Sequence, residues 1–264
     1  MKVDLIIRNA AQLITCASAG KPKRGAEMSD IGLIENGAVA IDQGKIRAVG
    51  TSREIGQNFQ TETIIDASGK TIMPGFVDCH THIVFAGNRL DEFELKIKGA
   101  DYLEILAGGG GIISTVNQTR VATESDLSEQ TRRRLDAMLA LGTTTAEVKT
   151  GYGLETATEL KMLDVIAELD QTHFLDLVPT FLAAHAIPPE FKEVKSPKSK
   201  VQSRADDYVD LICREMLPMA MNWYRDLHFA LDKTPFFCDV FCERNAFNLE
   251  QSRRVLETAK SLGF

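Results

Sequence analysis

At 264 residues, with 44% hydrophobic and 25% charged residues, the chain has an ordinary globular composition and enough length for a sizeable core. A formal net charge of -7 argues against nucleic acid or an anionic membrane as main partner, since both call for a basic surface, and leaves a small-molecule ligand as the expectation. The five cysteines (Cys16, Cys79, Cys213, Cys238, Cys242) are odd in number and lack the spacing of a zinc ribbon or a redox pair, so a reducing, cytoplasmic setting is expected. The N-terminal apolar run is too short for a signal peptide, and no segment approaches the roughly 18 apolar residues of a membrane helix.

Residues 3–72 alternate short β-branched runs with turn signals: "DLIIRNAAQLIT", "IGLIENGAVAIDQGKIRAVG" and "ETIIDASGKTIM". The Asn36-Gly37 and Gln43-Gly44 pairs suit tight hairpins, which predicts a small antiparallel β unit without evident chemistry. From Pro74 the rhythm becomes strand, loop, helix, strand. The strand candidates are "GFVDCHTHIVF", "TTTAEVKT", "HFLDLVPTFLAAH" and "PFFCDVFCE". A helix is predicted over 126–141, opened by Asp126-x-x-Glu129. Others start at Thr156-x-x-Glu159, with Leu160, Leu163 and Ile166 in register, and at Asn248-x-x-Gln251, with Val255, Leu256, Ala259 and Leu262. Such alternation indicates an α/β fold with parallel pairing. Four strands are too few to close a barrel of eight, so the pattern fits either an open sheet or an incomplete barrel. The lysine-rich stretch over 188–207 reads as a polar surface loop.

The stretch "PGFVDCHTHIVFAG" sets His80 and His82 one residue apart in a run that otherwise reads as a buried strand. Strand residues i and i+2 share a face with Cβ atoms about 6–7 Å apart, close enough for two imidazoles to reach one zinc or iron ion. Asp78 falls on the same face. The alternative is a pair of hydrogen-bonded core histidines.

"PGFVDCHTH" after a small β unit resembles the opening of the amidohydrolase superfamily. "FAGNRLDEFELKIKGADYLEI", "AGGGGIISTVNQTR", "LGTTTAEVKTGYGLETATELKML", "FLAAHAIP" and "DVFCERNAFNLEQSRRVLETAKSLG" narrow the resemblance to the imidazolonepropionase family. It implies a metal-dependent (β/α)8 TIM-like barrel with only about the first four βα units present, over 74–264, and over 1–73 part of a small β-sandwich unit. It also implies hydrolysis of 4-imidazolone-5-propanoate to N-formimidoyl-L-glutamate, with one divalent or trivalent metal ion, zinc or iron, and a homodimer for the intact protein. The matching residues are His80 and His82 as metal ligands and Arg89, Tyr152 and His185 as substrate contacts. The family's remaining ligands and its acid/base group are expected beyond Phe264, so the chain is expected to be a fragment, inactive alone. Another cyclic amidohydrolase or deaminase, or a non-catalytic binding module, are the competing readings.

These roles make chemical sense. A guanidinium such as that of Arg89 suits a propanoate carboxylate in bidentate fashion, although pairing with Asp91 or Glu92 on the surface is the plainer reading. Gly151 and Gly153 let the chain turn sharply and present the Tyr152 phenol. The His185 imidazole is adaptable as donor or acceptor. Lys149, His173 and His228 read as structural. "AGGGGIIST" lacks a phosphate-loop ending and reads as a flexible loop near the site. Cys238, Val240 and Cys242 would share a strand face, more as small hydrophobes than as soft metal ligands.

Overall fold

The computed structural model describes residues 1–18, 20–100, 110–191, 204–227, 229, 234–244 and 246–264. The chain divides into two compact units, Met1–Gly75 and Phe76–Phe264.

The first unit is one five-stranded sheet: β1 (Leu5–Ile14), β2 (Leu33–Asp42), β3 (Lys45–Thr51), β4 (Ile64–Asp66) and β5 (Thr71–Ile72). It is mixed rather than wholly antiparallel, because β1 pairs antiparallel with β2 but parallel with β4 and β5. Gln43-Gly44 makes the β2–β3 hairpin with positive φ at both residues, as a tight primed turn requires. Asn36-Gly37 does not turn the chain. It lies inside β2 opposite an irregularity in β1, and Gly37 packs so closely on Leu13 that a Cβ would come within 2.3 Å of it. Helix α1 (Ser52–Asn58) follows β3 through a capping box of Thr51 and Glu54. Val3, Ile6, Ala38, Ala40 and Ile55 form the small core.

The second unit is a parallel sheet in sequential order, β6 (Phe76–Thr81), β7 (Thr143–Lys149), β8 (Asp176–Ala184) and β9 (Phe237–Val240). Helices α2 (Leu90–Ile97), α3 (Ile112–Val121) and α4 (Glu124–Ala140) connect β6 to β7, and α5 (Thr156–Thr172) connects β7 to β8. Between β8 and β9 run α6 (Arg204–Leu211), a π turn (Ile212–Met216) and α7 (Leu217–Arg225). The π turn falls just ahead of Pro218, which has no N–H to continue the α ladder. Helix α8 (Leu249–Leu262) closes the series. Strands in chain order, with helices between them, are the arrangement of the opening half of a (β/α)8 barrel. Leu135, Val148, Leu163, Ile166, Phe181 and Val255 belong to its core.

Several local expectations shift. Helix α4 starts at 124, capped by a Thr123–Asp126 box, so Asp126 is the third helical residue and not the cap. The Asn248–Gln251 box forms as expected. Glu159 makes no box with Thr156: the cap position is Glu155, whose side chain makes no capping bond to the helix backbone, and the Glu159 carboxylate turns inward. In the polar stretch, 192–203 lie outside the described residues and Arg204 already begins a helix. His228 and 107–109 of the glycine-rich stretch also lie outside them. Strand β9 ends at Val240, so Cys242 falls past the strand rather than on a shared face.

Candidate active site

The carboxyl ends of β6, β7 and β8 bring together side chains far apart in sequence. His80 is near the end of β6 and exposed; His82 follows the strand by one residue and is half-buried. Their ring centroids are 5.6 Å apart. The run is therefore shorter as a strand than its apolar character predicts, and residues 76–80 are exposed where burial is expected. The reason is position: β6 is an edge strand with β7 on one side. Asp78 is exposed as well, its Oδ1 accepting from the His80 backbone N–H at 3.2 Å.

His185 directly follows β8, and its ring stacks on that of His82 at 4.6 Å with an interplanar angle of 12°. Tyr152, three residues past β7, lies 5.5 Å from both rings. Gly151 makes this approach possible. It has φ +107°, and a Cβ there would come 2.8 Å from His185 Nδ1 and from the Leu182 carbonyl. Burial raises the Tyr152 phenol above its ordinary pKa, so it stays protonated and able to donate.

Both imidazoles have one nitrogen fixed. His82 Nδ1 lies 3.1 Å from the Thr150 carbonyl and His185 Nδ1 lies 2.9 Å from the Gly151 carbonyl. A carbonyl only accepts, so Nδ1 carries the proton in each ring and Nε2 keeps its lone pair. Burial, followed by the neighbouring His185, lowers the His82 pKa to about 4. Burial likewise lowers that of His185. Both rings are therefore neutral at pH 7.

Arg89 occupies the cap position just before α2 and pairs with Glu92, its Nε at 2.8 Å from Oε2, as the plainer reading anticipates. Glu92 Oε1 in turn accepts from the Gly111 N–H at 2.9 Å. Arg89 also lines a cavity of about 390 Å³ with Phe85, Asn88, Thr115, Arg134 and Tyr152. Sequence reasoning missed Arg134, whose guanidinium stacks 3.6 Å from the Phe85 ring centroid and donates to the Ile83 and Phe85 carbonyls. One arginine among three in "TRRRLD" carries no local signal of that task.

Lys149, at the end of β7, is buried between Glu147 Oε1 at 2.6 Å and Asp239 Oδ2 at 3.1 Å. Burial alone would lower its pKa; the two carboxylates outweigh it and hold the ammonium charged. His173 caps the end of α5 away from the site, 3.2 Å from Asp136.

The donor set fits part of a metal centre. Two imidazoles on one tetrahedral ion place their ring centroids about 5 Å apart, close to the separation of His80 and His82. A carbonyl holding the distal nitrogen, as Thr150 does for His82, is the usual outer support of a ligating histidine. Among the described residues no three His, Cys, Asp or Glu side chains converge as a complete site. None of their helices is long and apolar enough to cross a membrane.

Fold and rim together define a partial (β/α) barrel that carries its candidate functional side chains at the carboxyl ends of its strands. The chain aligns with an adenosine deaminase from Xanthomonas campestris with bound zinc, at TM-score 0.56 and 17% identity over 99% of this chain and 48% of that one. An atrazine chlorohydrolase from Arthrobacter aurescens complexed with zinc also aligns, at TM-score 0.56 and 15% identity over 97% and 51%. At such identities the likeness is one of fold. No family model matches the chain.

In sequence the chain is similar to curated imidazolonepropionases. It is 52% identical over 260 residues to the imidazolonepropionase of Chloroflexus aggregans, covering 98% of this chain and 58% of that protein. To that of Alkaliphilus oremlandii it is 46% identical over 267 residues, covering 100% and 58%. The chain thus spans 58% of the length of these curated relatives.

Proposed function

We propose that this chain carries the first part of an imidazolonepropionase active site, which hydrolyses the cyclic amide of 4-imidazolone-5-propanoate to N-formimidoyl-L-glutamate in histidine degradation. The observation that supports it most is the gathering of His82, Tyr152 and His185 within 5.5 Å of one another beside the cavity that Arg89 lines, in a chain 52% identical to a protein of that name. The five free cysteines fit work in the cytoplasm.

His80 and His82 would hold a zinc or iron ion through their Nε2 atoms, with further donors supplied from the length that the relatives have and this chain does not span. When bound, such an ion supplies a nucleophilic water at neutral pH and polarises the carbonyl under attack. The Arg89 guanidinium binds the propanoate carboxylate, exchanging part of its contact with Glu92 for the substrate. The Tyr152 hydroxyl donates to a substrate oxygen. His185 Nε2, kept neutral by burial, accepts the ring N–H and so orients the heterocycle. Phe85 and Arg134 wall the cavity.

The test uses a polypeptide carrying this sequence at the length of its relatives, assayed for loss of imidazolonepropionate. His82→Ala is expected to remove bound metal and lower kcat/KM by at least about a thousandfold, whereas Arg89→Lys raises KM with a smaller effect on kcat. Full turnover by His82→Ala would overturn the metal assignment, and selective turnover of a different cyclic amide would overturn the substrate. The 264-residue polypeptide, offering two imidazoles, is expected to hold zinc weakly and to show no turnover.

A further inference from the structure

The first turn of α5 buries a carboxylate that the mechanism above does not use. Glu159 is fully buried, and its two oxygens collect the rim loop after β7. Oε2 accepts from the Gly151 N–H at 3.0 Å, and Oε1 accepts from the Gly153 and Leu154 N–H groups, each at 2.8 Å. The Thr150 hydroxyl donates to the same carboxylate, while its oxygen accepts from the Leu182 N–H at 3.0 Å. Gly153 has to be glycine for this wrap, because a Cβ would come 2.7 Å from the Glu159 backbone nitrogen.

With the N–H groups drawn to one point, the carbonyls of the loop face outward. Thr150 O meets His82 Nδ1, Gly151 O meets His185 Nδ1, and Gly153 O and Leu154 O meet Arg120 at 2.7 and 3.2 Å. The peptide between Thr150 and Gly151 carries the logic. In a planar trans peptide the C=O and N–H point in opposite directions, so capturing the Gly151 N–H on Glu159 aims the Thr150 carbonyl at His82. The peptide between Gly153 and Leu154 repeats it, with its N–H on Glu159 and its C=O on Arg120.

We propose that Glu159 is a positioning residue for the active-site imidazoles: by gathering the loop N–H groups it turns the Thr150 carbonyl directly onto His82, holds in place the loop that presents the Gly151 carbonyl to His185, fixes both rings as the Nδ1–H tautomer, and leaves Nε2 of each available to metal or substrate. The proposal rests on the reading that His82 ligates and His185 contacts substrate. Four donors surround the carboxylate, so the anion matches its surroundings even though burial raises its pKa. In Glu159→Gln an amide NH2 would face loop N–H groups, and the loop would have to turn at least one peptide away.

The test is nitrogen-15 NMR of the 264-residue chain labelled in histidine, which reports the tautomer of each ring without metal or turnover and so stands apart from the success or failure of the proposed reaction. In wild type, His82 and His185 are expected as the Nδ1–H form. In Glu159→Gln that form falls from dominant to minor in at least one of them. Glu168→Gln, on the surface of the same helix beside Arg132, leaves both unchanged. Retention of Nδ1–H in both rings of Glu159→Gln overturns the proposal, whatever happens to thermal stability. Should that variant not fold, amide exchange of wild type decides. The Gly151, Gly153 and Leu154 amides are expected to exchange at least a hundredfold slower than open-loop amides, and open-loop rates would overturn the assignment.

Discussion

Strands β6 and β8 lie in one parallel sheet with β7 between them, yet their surroundings differ. β6 exposes Phe76, Val77, Asp78, Cys79 and His80 and buries Thr81 alone. β8 exposes Asp176, half-buries Val178 and buries the rest. β8 has a strand on each side and α5 against it; β6 has one neighbour. The candidate metal pair therefore stands on an exposed edge, and its partner His185 is delivered by the packed interior. Rigidity reaches the pair from β7 and β8, through the Thr150 carbonyl and the stacked His185 ring.

Thiol reactivity gives the largest contrast, here between β6 and the opposite edge strand, β9. Cys79 on β6 is exposed, whereas burial, reinforced by the Asp239 carboxylate and Cys213, pushes the Cys238 thiol up to about 12. At pH 8 on the order of one Cys238 in ten thousand is thiolate. Iodoacetamide should thus modify Cys79 at least about a hundredfold faster, with the Cys238 rate climbing as pH rises, by peptide mass spectrometry. Equal rates at pH 8 would mean that the surroundings of Cys238 do not suppress its thiolate.

Stability supplies the next contrast. Phe181 on β8 is 1% exposed and Val77 on β6 is 67% exposed. Phe181→Ala is expected to cost about 3–5 kcal/mol in urea unfolding, against less than about 0.5 kcal/mol for Val77→Ala. Comparable losses would show that β6 is covered in solution, and the comparison would fail. Lys149→Met, at the junction of β7 with β8 and β9, should cost about 2 kcal/mol. It strands Glu147, which keeps the Thr180 hydroxyl at 2.6 Å, while half-exposed Asp239 returns to water. A neutral result would assign Lys149 no part in holding the rim. Thr123→Ala is expected to cost about 1 kcal/mol in the same urea unfolding, through loss of the α4 cap, and no loss would show that the cap contributes nothing.

The misread boundaries share one cause. Thr156-x-x-Glu159 has the local form of a capping box, but the N–H groups of 151, 153 and 154 offer the carboxylate more partners than its own helix start does, so it turns to them. Asn36-Gly37 has the local form of a hairpin turn, but its neighbours pair with β1 and the dipeptide is absorbed as an irregularity in a strand. The apolar run around His80 has the local form of a buried strand, but an edge position exposes it. In each case the neighbours that the fold supplies or withholds decide against a local preference worth about 1 kcal/mol.

By itself the sequence determined the α/β alternation, the His-x-His spacing of the candidate metal pair and the glycines that let the 150–154 loop turn, because each rests on periodicity or backbone freedom within a few residues. It also carried the resemblance that named Arg89, Tyr152 and His185. Only the tertiary structure decided that His82, Tyr152 and His185 stand within 5.5 Å of one another, that Arg134 and Phe85 wall the adjoining cavity, and that Glu159 serves the rim instead of its own helix. The parallel register of β6, β7 and β8 joins positions about seventy and thirty residues apart, and a register set by hydrogen bonds between distant strands leaves no mark in local spacing.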